Sequence, residues 1–531
     1  MGKGKVERFG RSVAQGVVFS TISQGMIKVS NLIILLLVLY YFPPEEAGLF
    51  MLGNALFGLF LVITSFGIPA GVDRFTAYFL GKGDQKRIKK LFIQSVLASL
   101  IISIFIVLLS WTQIDLITGF FASNITKVLT IILFFTPFTL LSSVLTSHLN
   151  GMRRYLATSI FRAGIVVINL VLLVMFIYLG HTTAEYGMLA KGMAYMITVI
   201  IESIYIVWTE RHLLFSRIAG SDSFPWVEVI KYGIPIYITT YGSYLATWTD
   251  TFVLGHFVES SIIAGYSVIS VISRNVGYMT HVFFANVLIS SLSYLMGKGE
   301  DKKAVEVATR STKWYFIVGT PILILILVFP QQIIHIMFSS HPEYQEYAYL
   351  FYILGPTYYT IIVSGAARNY LMAKGRSDVF AKVSLLIIFP NIILNFIFIP
   401  RYGLIGAAIA TLLSFGFSEM IYVYEGKKYG VWFDQSVIKI ILLSIMLGVL
   451  LYLGNWLGFT MWQNLLNLIL LGGLYLILSY KLNILTDDDI RLLYPNWKKR
   501  EPGSNERKDP NAQHRTRDRK HKHSVRPKRM P

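Results

Sequence analysis

The chain has no cysteine among its 531 residues, which excludes disulfides, thiolate metal sites and cysteine nucleophiles and says nothing about compartment. Charge is scarce: only 15% of residues are Asp, Glu, Lys or Arg, and acids are the rarer, 29 against 48 Lys and Arg. A mean hydropathy of +0.57 with 54% hydrophobic residues rules out a soluble multidomain protein of this length. No metal-ligand spacing is found and no Gly-rich phosphate loop follows a strand. No outward segment between apolar runs is long enough to fold a catalytic domain. Neither an enzyme nor a resident cofactor is expected.

What fills the chain is apolar runs of about 20 residues, each long enough as a helix to cross a hydrocarbon core of about 30 Å. An outer-membrane barrel would show short alternating segments instead. The pattern predicts an all-α, polytopic membrane protein of about fourteen helices. They fall near residues 14–41, 47–72, 91–111, 126–149, 155–180, 187–208, 229–256, 261–292, 314–338, 346–371, 378–400, 404–424, 436–457 and 462–481. The basic N-terminus "MGKGKVERFGR" precedes a long span without a small-residue cleavage pattern, so a retained first helix is expected rather than a removed signal peptide.

The connections separate by charge. "RFTAYFLGKGDQKRIKK", "GMRRY", "ERHLLFSR", "GKGEDKKAVEVATRSTK", "AKGR" and "EGKKYG" carry nearly all the loop Lys and Arg, and they alternate with "FPPEEAG", "GHTTAEYG", "HFVESS", "HPEYQEY" and "GNWLGF". Lys127 and Arg401 are the only cations on the second side. By the positive-inside rule the N-terminus, the basic loops and the C-terminus lie in the cytoplasm of a multi-pass cell-membrane protein. The net charge is +19, and the tail from Lys498 to Pro531 has thirteen Lys and Arg against four Asp and Glu, an excess of nine. With almost no apolar residues that tail reads as solvated chain, with attraction to anionic lipid headgroups as its functional alternative; no nucleic-acid partner is expected.

Two halves of the chain resemble each other. "FLGKGDQKR" (Phe79 to Arg87) recurs as "LMGKGEDKK" (Leu295 to Lys303). "EYGMLAKGMAYMITVIIESIYIV" (Glu185 to Val207) is echoed by "RYGLIGAAIATLLSFGFSEMIYV" (Arg401 to Val423), and with a one-residue slip Glu202-x-x-Tyr205 corresponds to Glu419-x-x-Tyr422. The repeat of about 216 residues holds six predicted helices, so the halves are parallel copies, the layout of secondary transporters with the substrate site between lobes. The expected division is 1–220 for the N-terminal lobe, 221–430 for the C-terminal lobe, 431–485 for two peripheral helices and 486–531 for the basic disordered cytoplasmic tail.

Charges inside spans are costly and should line the cavity between lobes. Lys28, in "SQGMIKVSNLIILLLVLYYF", lies roughly 20 Å from either end of its helix, and Arg274, in "SVISVISRNVGYMTHVFFANVL", is as central. These two are too deep for easy snorkelling. Arg74, Arg162, Arg368, Lys382, Glu202 and Glu419 lie within reach of a helix end, where snorkelling is the plain alternative, and Asp250 is either a structural partner for a cation or functional. Two deep cations suit an anionic substrate, because ammonium and guanidinium groups pair with phosphate. Tyr237, Tyr241, Tyr244, Tyr358 and Tyr359 are available to stack on sugars or close the cavity, or simply pack between helices. Pro69, Pro137, Pro235, Pro321, Pro356 and Pro390 mark places where helices can bend.

"YYFPPEEAGLFMLGNALFGLFLVITSFGIPAGVDRFTAYF" resembles the opening of polysaccharide-export flippases, with a Pro-Glu-Glu-x-Gly-like outer turn, "FG" and "GIP", then an Arg where the helix reaches the cytoplasm. "AGYSVISVISRNVGYMTHVFFANVLISSLSYLMGKG" is similar to the matching segment of the second half. Over residues from about 10 to 480 the chain resembles the lipid-linked oligosaccharide flippases of the multidrug/oligosaccharidyl-lipid/polysaccharide exporter superfamily. The resemblance implies two six-helix lobes plus two peripheral helices, and alternating access that moves a polyprenyl-(pyro)phosphate-linked glycan from the cytoplasmic to the outer leaflet. It implies that Lys28, Arg274 and Arg74, in matching regions, engage the phosphate or acidic sugars; Arg162 and Arg368, from their places inside spans, are expected as further cavity cations.

A lipid II flippase and a cation-coupled multidrug exporter are rival readings within that superfamily. The second favours acidic groups at mid-depth and twelve helices. A membrane glycan-assembly enzyme or a scaffold is the rival from another class. Asp250, Glu202 and Glu419 are candidate coupling carboxylates for Na+, H+ or the membrane potential. Expected partners are the lipid-linked glycan, anionic headgroups and other glycan-assembly membrane proteins.

Overall fold

A membrane helix buries its small and polar side chains and turns its large apolar ones outward, the reverse of a soluble helix. The helix Gln85–Thr112 follows that rule: Ser95, Ser99 and Ser103 are buried one turn apart, while Leu97, Ile101, Ile104, Phe105 and Leu108 are exposed. Asp84 caps it, its Oδ1 accepting from the backbone N–H of Arg87 at 3.0 Å.

The computed structural model describes residues 3–215, 226–458 and 461–484. Its helices are α1 Lys3–Tyr41, α2 Pro44–Ser65, α3 Ile68–Lys82, α4 Gln85–Thr112, α5 Ile114–Gly119, α6 Thr126–Gly151, α7 Tyr155–Tyr178 and α8 Ala184–Leu214. The series continues with α9 Trp226–Phe257, α10 Ser260–Gly297, α11 Asp301–Val328, α12 Pro330–Met337, a 3-10 helix Pro342–Leu350, α13 Phe351–Ala373, α14 Ser377–Lys428, α15 Ser436–Trp456 and α16 Met461–Lys481. The protein is an all-α, multi-pass membrane protein: among the described residues ten helices are long and apolar enough to cross a bilayer. The chain divides into two units, Met1–Thr460 and Met461–Pro531, and the second contains α16. The basic tail from Lys498 lies outside the described residues.

Several predicted boundaries move, each for a local reason. The expected span 47–72 ends at Ser65, because Phe66 and Gly67 take positive φ (41° and 74°) before Pro69 restarts a helix as α3. A Cβ at Gly67 would overlap the carbonyl of Gly233, so the backbones of this turn and of α9 touch. The expected span 314–338 breaks at Phe329, where Pro330 starts α12. The helical run Ser377–Lys428 reverses at Gly403 (φ 54°, ψ −130°), a conformation closed to other residues. A Cβ at Gly406 would strike the carbonyl of Phe398, which a straight helix would hold about 12 Å away.

The core of the larger unit runs through α1, α2, α6, α8, α10 and α13, with Phe42, Leu52, Leu129, Met188, Val268 and Leu354 all fully buried. α2 packs on α6, α8, α9 and α10, while α14 packs on α9 and α13, and α15 lies on α11. At one end the segment after α5 interlocks with the end of α9 and the start of α10: the N–H of Ala122 donates to the carbonyl of Gly255 at 2.9 Å, and the N–H of Ser260 to the hydroxyl of Ser123 at 2.9 Å. This end carries the acidic-to-neutral connections; the basic ones lie at the other.

Candidate binding cavity

Helices α1, α2, α7, α8, α9 and α10 enclose a cavity of about 950 Å3. Four cations line it: Lys28 from α1, Arg162 from α7, Lys191 from α8 and Arg274 from α10. Among the described residues the only carboxylate in the lining is Asp250 of α9. Asn31, Asn54, Asn169 and Asn275 add neutral polar groups, and Tyr195, Tyr244 and Trp248 add ring faces.

Helix geometry sets the depths. The N–H of Ala184 donates to Glu46 Oε2 at 2.7 Å, and a Cβ at Gly48 would overlap the carbonyl of Ser260, so α2, α8 and α10 begin at one level. Counted from that end, Lys191 lies about 10 Å deep, and Lys28 and Arg274 both about 20 Å. Arg162 is deeper still, about 24 Å from the end of α7 at Tyr178.

Each charge is held differently. The guanidinium of Arg274 sits 5.6 Å from the ring centroid of Trp248, a cation–π contact that leaves its N–H groups for other partners. Asp250 accepts at Oδ1 from the N–H of Thr251 (2.7 Å) and at Oδ2 from the hydroxyl of Tyr266 (2.9 Å), and it lies in the field of Arg274. Lys191 Nζ donates to Asn54 Oδ1 at 2.5 Å and lies 4.4 Å from the centroid of Phe57. Tyr244 donates to the carbonyl of Ala55 at 2.5 Å, tying α9 to α2 beside the cavity.

Of the residues expected from sequence, the structure brings Lys28, Arg162, Arg274 and Asp250 together in this lining. Arg74 is not among them; its guanidinium stacks 4.0 Å from the ring centroid of Tyr232 and 5.5 Å from that of Phe75. Arg368 and Glu419 form an ion pair at 3.3 Å outside the cavity, with Ser364 donating to the same carboxylate. Glu202 also lies outside it, fully buried. Neither of its carboxylate oxygens has a hydrogen-bond partner among the described residues, and Arg162 is the cation whose field reaches it. Tyr244 alone of the five tyrosines singled out lines the cavity; Tyr358 is buried in the core and Tyr359 shares a hydrogen bond with Thr320 at 2.7 Å.

Lys191 and the asparagines escaped the sequence reading. Lys191 follows "EYGMLA" and sits within snorkelling reach of a helix end, so depth alone does not mark it. The available signal was a lysine in a span whose own connection, "GHTTAEYG", carries no other cation.

Membrane helices around a cavity of about 950 Å3, lined by apolar side chains and a few cations, form the architecture of a transporter. The chain belongs to the polysaccharide biosynthesis protein family, whose profile matches residues 13–296, and with it to the multidrug/oligosaccharidyl-lipid/polysaccharide exporter superfamily, whose MatE profile matches residues 235–397. An uncharacterized membrane protein of Methanocaldococcus jannaschii, MJ1068, is 24% identical over 416 residues, 75% of this chain and 79% of that one. A Haloferax volcanii protein described as "Probable low-salt glycan biosynthesis flippase Agl15" is 27% identical over 226 residues, 41% of this chain and 46% of that one. The lipid II flippase MurJ in an inward closed conformation has the same fold, with a TM-score of 0.69 at 17% identity, covering 88% of this chain and all of MurJ.

Proposed function

We propose that this transporter flips a polyprenyl-(pyro)phosphate-linked oligosaccharide from the cytoplasmic to the outer leaflet by alternating access. One observation carries the reading: among the described residues four cations and one carboxylate line the cavity, and the carboxylate is already engaged by Thr251 and Tyr266. Uncompensated cations at mid-membrane depth are expensive and call for an anion. Guanidinium and ammonium groups supply the charge-assisted bonds that a phosphate takes. Lys28 and Arg274 bind the phosphate, and Arg162 receives it from the basic side. The description of the Haloferax relative and the fold shared with MurJ agree with a lipid-linked substrate.

The wider arrangement follows the same reading. Counting Ser377–Lys428 as two spans and adding Trp226–Phe257, Ser260–Gly297 and Met461–Lys481 to the ten brings the total to fourteen. Two six-helix lobes, residues 1–220 and 221–430, rock about the contacts of α2 and α3 with α9 and α10, with residues 431–485 belonging to neither lobe and both termini cytoplasmic. The tail beyond 486 attracts anionic headgroups. Glu202 is the best-supported coupling carboxylate, since Asp250 and Glu419 are held by partners.

The MatE match favours a second reading, export of organic cations. A cavity with an excess of cations repels them. Protein in liposomes should move a labelled polyprenyl-pyrophosphate glycan between leaflets and leave ethidium where it is. Ethidium export without lipid movement would keep the fold and overturn the substrate.

A further inference from the structure

We propose that Lys191 and Asn54 form a second holding point for a phosphate-class anion, nearer the acidic end than the one at Lys28 and Arg274, and that an anion passes between the two. This rests on reading the cavity as an anion path. The two points belong to one cavity but differ in depth by about 10 Å, farther than a single phosphate can bridge.

The surroundings of Lys191 favour a ligand over a structural role. An ammonium has three donors. Asn54 takes one, the face of Phe57 offers only its quadrupole, and no carboxylate pairs with Lys191 among the described residues. Both Lys191 and Asn54 line the cavity, and Asn54 keeps its own two N–H donors beside the ammonium. A cation and two amide donors, with no carboxylate within ion-pair distance among the described residues and the cavity's Asp250 already held by Thr251 and Tyr266, make a site for an oxyanion. Asn31, Tyr195 and Tyr244, also in the lining, provide polar groups along the way. The cations thus form a sequence in depth, Arg162, then Lys28 with Arg274, then Lys191, with Lys191 the last before the interlocked end.

The test separates this station from the flippase reading. Purified wild type in detergent, titrated with inorganic pyrophosphate in a calorimeter, should need two sites to fit the isotherm. Lys191→Met, uncharged and of similar length, should lose one site, and Arg274→Ala the other. In liposomes Lys191→Met should slow transfer of the labelled polyprenyl-pyrophosphate glycan by roughly tenfold or more, while Lys191→Arg stays within roughly threefold of wild type, as loss and retention of a charge-assisted contact imply. Equal behaviour of Lys191→Met and wild type in both assays overturns the proposal. So does a Lys191→Arg as defective as Lys191→Met at unchanged thermal stability, which would make the lysine a geometric tie between α8 and α2. Two-site binding without lipid transfer would refute the flippase and leave the station standing.

Discussion

Arg368 and Glu419 offer a way to tell a structural ion pair from a substrate site. Glu419 is 2% exposed, Arg368 Nη1 lies 3.3 Å from its Oε1, and the guanidinium sits 4.8 Å from the ring of Tyr422. Glu419→Ala leaves a guanidinium inside the bundle without its carboxylate, with Tyr422 as its remaining neighbour. Breaking a buried ion pair costs about 3–5 kcal/mol, whereas a neutral hydrogen bond between membrane helices contributes roughly 0.6–2 kcal/mol. A loss above about 2 kcal/mol therefore marks the stranded charge rather than the lost bond. Replacing both partners, Arg368→Met with Glu419→Leu, strands nothing and should recover most of the loss. The assay is reversible unfolding in mixed micelles, read as a double-mutant cycle. A Glu419→Ala cost under about 1 kcal/mol, or a double variant no better than the sum of the singles, would refute the buried-charge argument. The same double variant should still transfer substrate, because neither residue lines the cavity. Restored stability with abolished transfer would return Arg368 to the substrate path.

Other consequences are equally direct. Gly403→Ala forces a Cβ into φ 54°, ψ −130°, which should cost about 1–3 kcal/mol in the same unfolding assay; an unchanged midpoint would mean the turn is not needed as described. Because the chain has no native cysteine, single cysteines can be labelled without background. Cysteine at Lys86 or Lys302 should react only from the cytoplasmic side and at Glu343 only from outside, and reaction of all three from one side would reject the orientation. Glu202→Gln removes no hydrogen bond, so stability should stay within about 1 kcal/mol of wild type while gradient-driven transfer falls. Transfer that remains gradient-dependent at full rate would remove Glu202 from the coupling mechanism.

How much was legible in the sequence follows from what each signal measures. Hydropathy reports a helix's length and apolarity, so α4, α6, α7 and α8 lie over expected spans with ends shifted by up to six residues, while the short α5 was not expected. It is blind to a turn made by two residues with positive φ, which is why the break at Phe66 and Gly67 was missed. Depth along a span identified Lys28 and Arg274, because a charge far from both ends has few places to go but a cavity. Depth does not report which face of the helix a side chain takes. Arg162 and Arg368 look alike in sequence; one lines the cavity and the other pairs with a glutamate 51 residues further along the chain, a contact that only packing creates. The internal repeat placed Glu202 and Glu419 at matching positions, and both are buried, yet among the described residues only Glu419 has a hydrogen-bond or ion-pair partner. Here the second half supplies a cation from α13, whereas the first half presents Arg162 from α7, so equivalent acids have unlike neighbours.

The central claim is that cavity cations recognise an anionic lipid headgroup. Its most direct test is the rate at which reconstituted wild type, Lys28→Ala and Arg274→Ala move a labelled polyprenyl-pyrophosphate glycan between leaflets. Both residues line the cavity and neither forms an ion pair within 4 Å among the described residues, so Lys28→Ala should keep wild-type melting behaviour, whereas Arg274→Ala also removes the contact with Trp248 and the cation whose field reaches Asp250 and should melt somewhat lower while still folding. The account predicts that wild type transfers the lipid and that each folded variant loses at least about tenfold in rate, the effect of removing one charge-assisted contact. Variants that transfer as fast as wild type would contradict it.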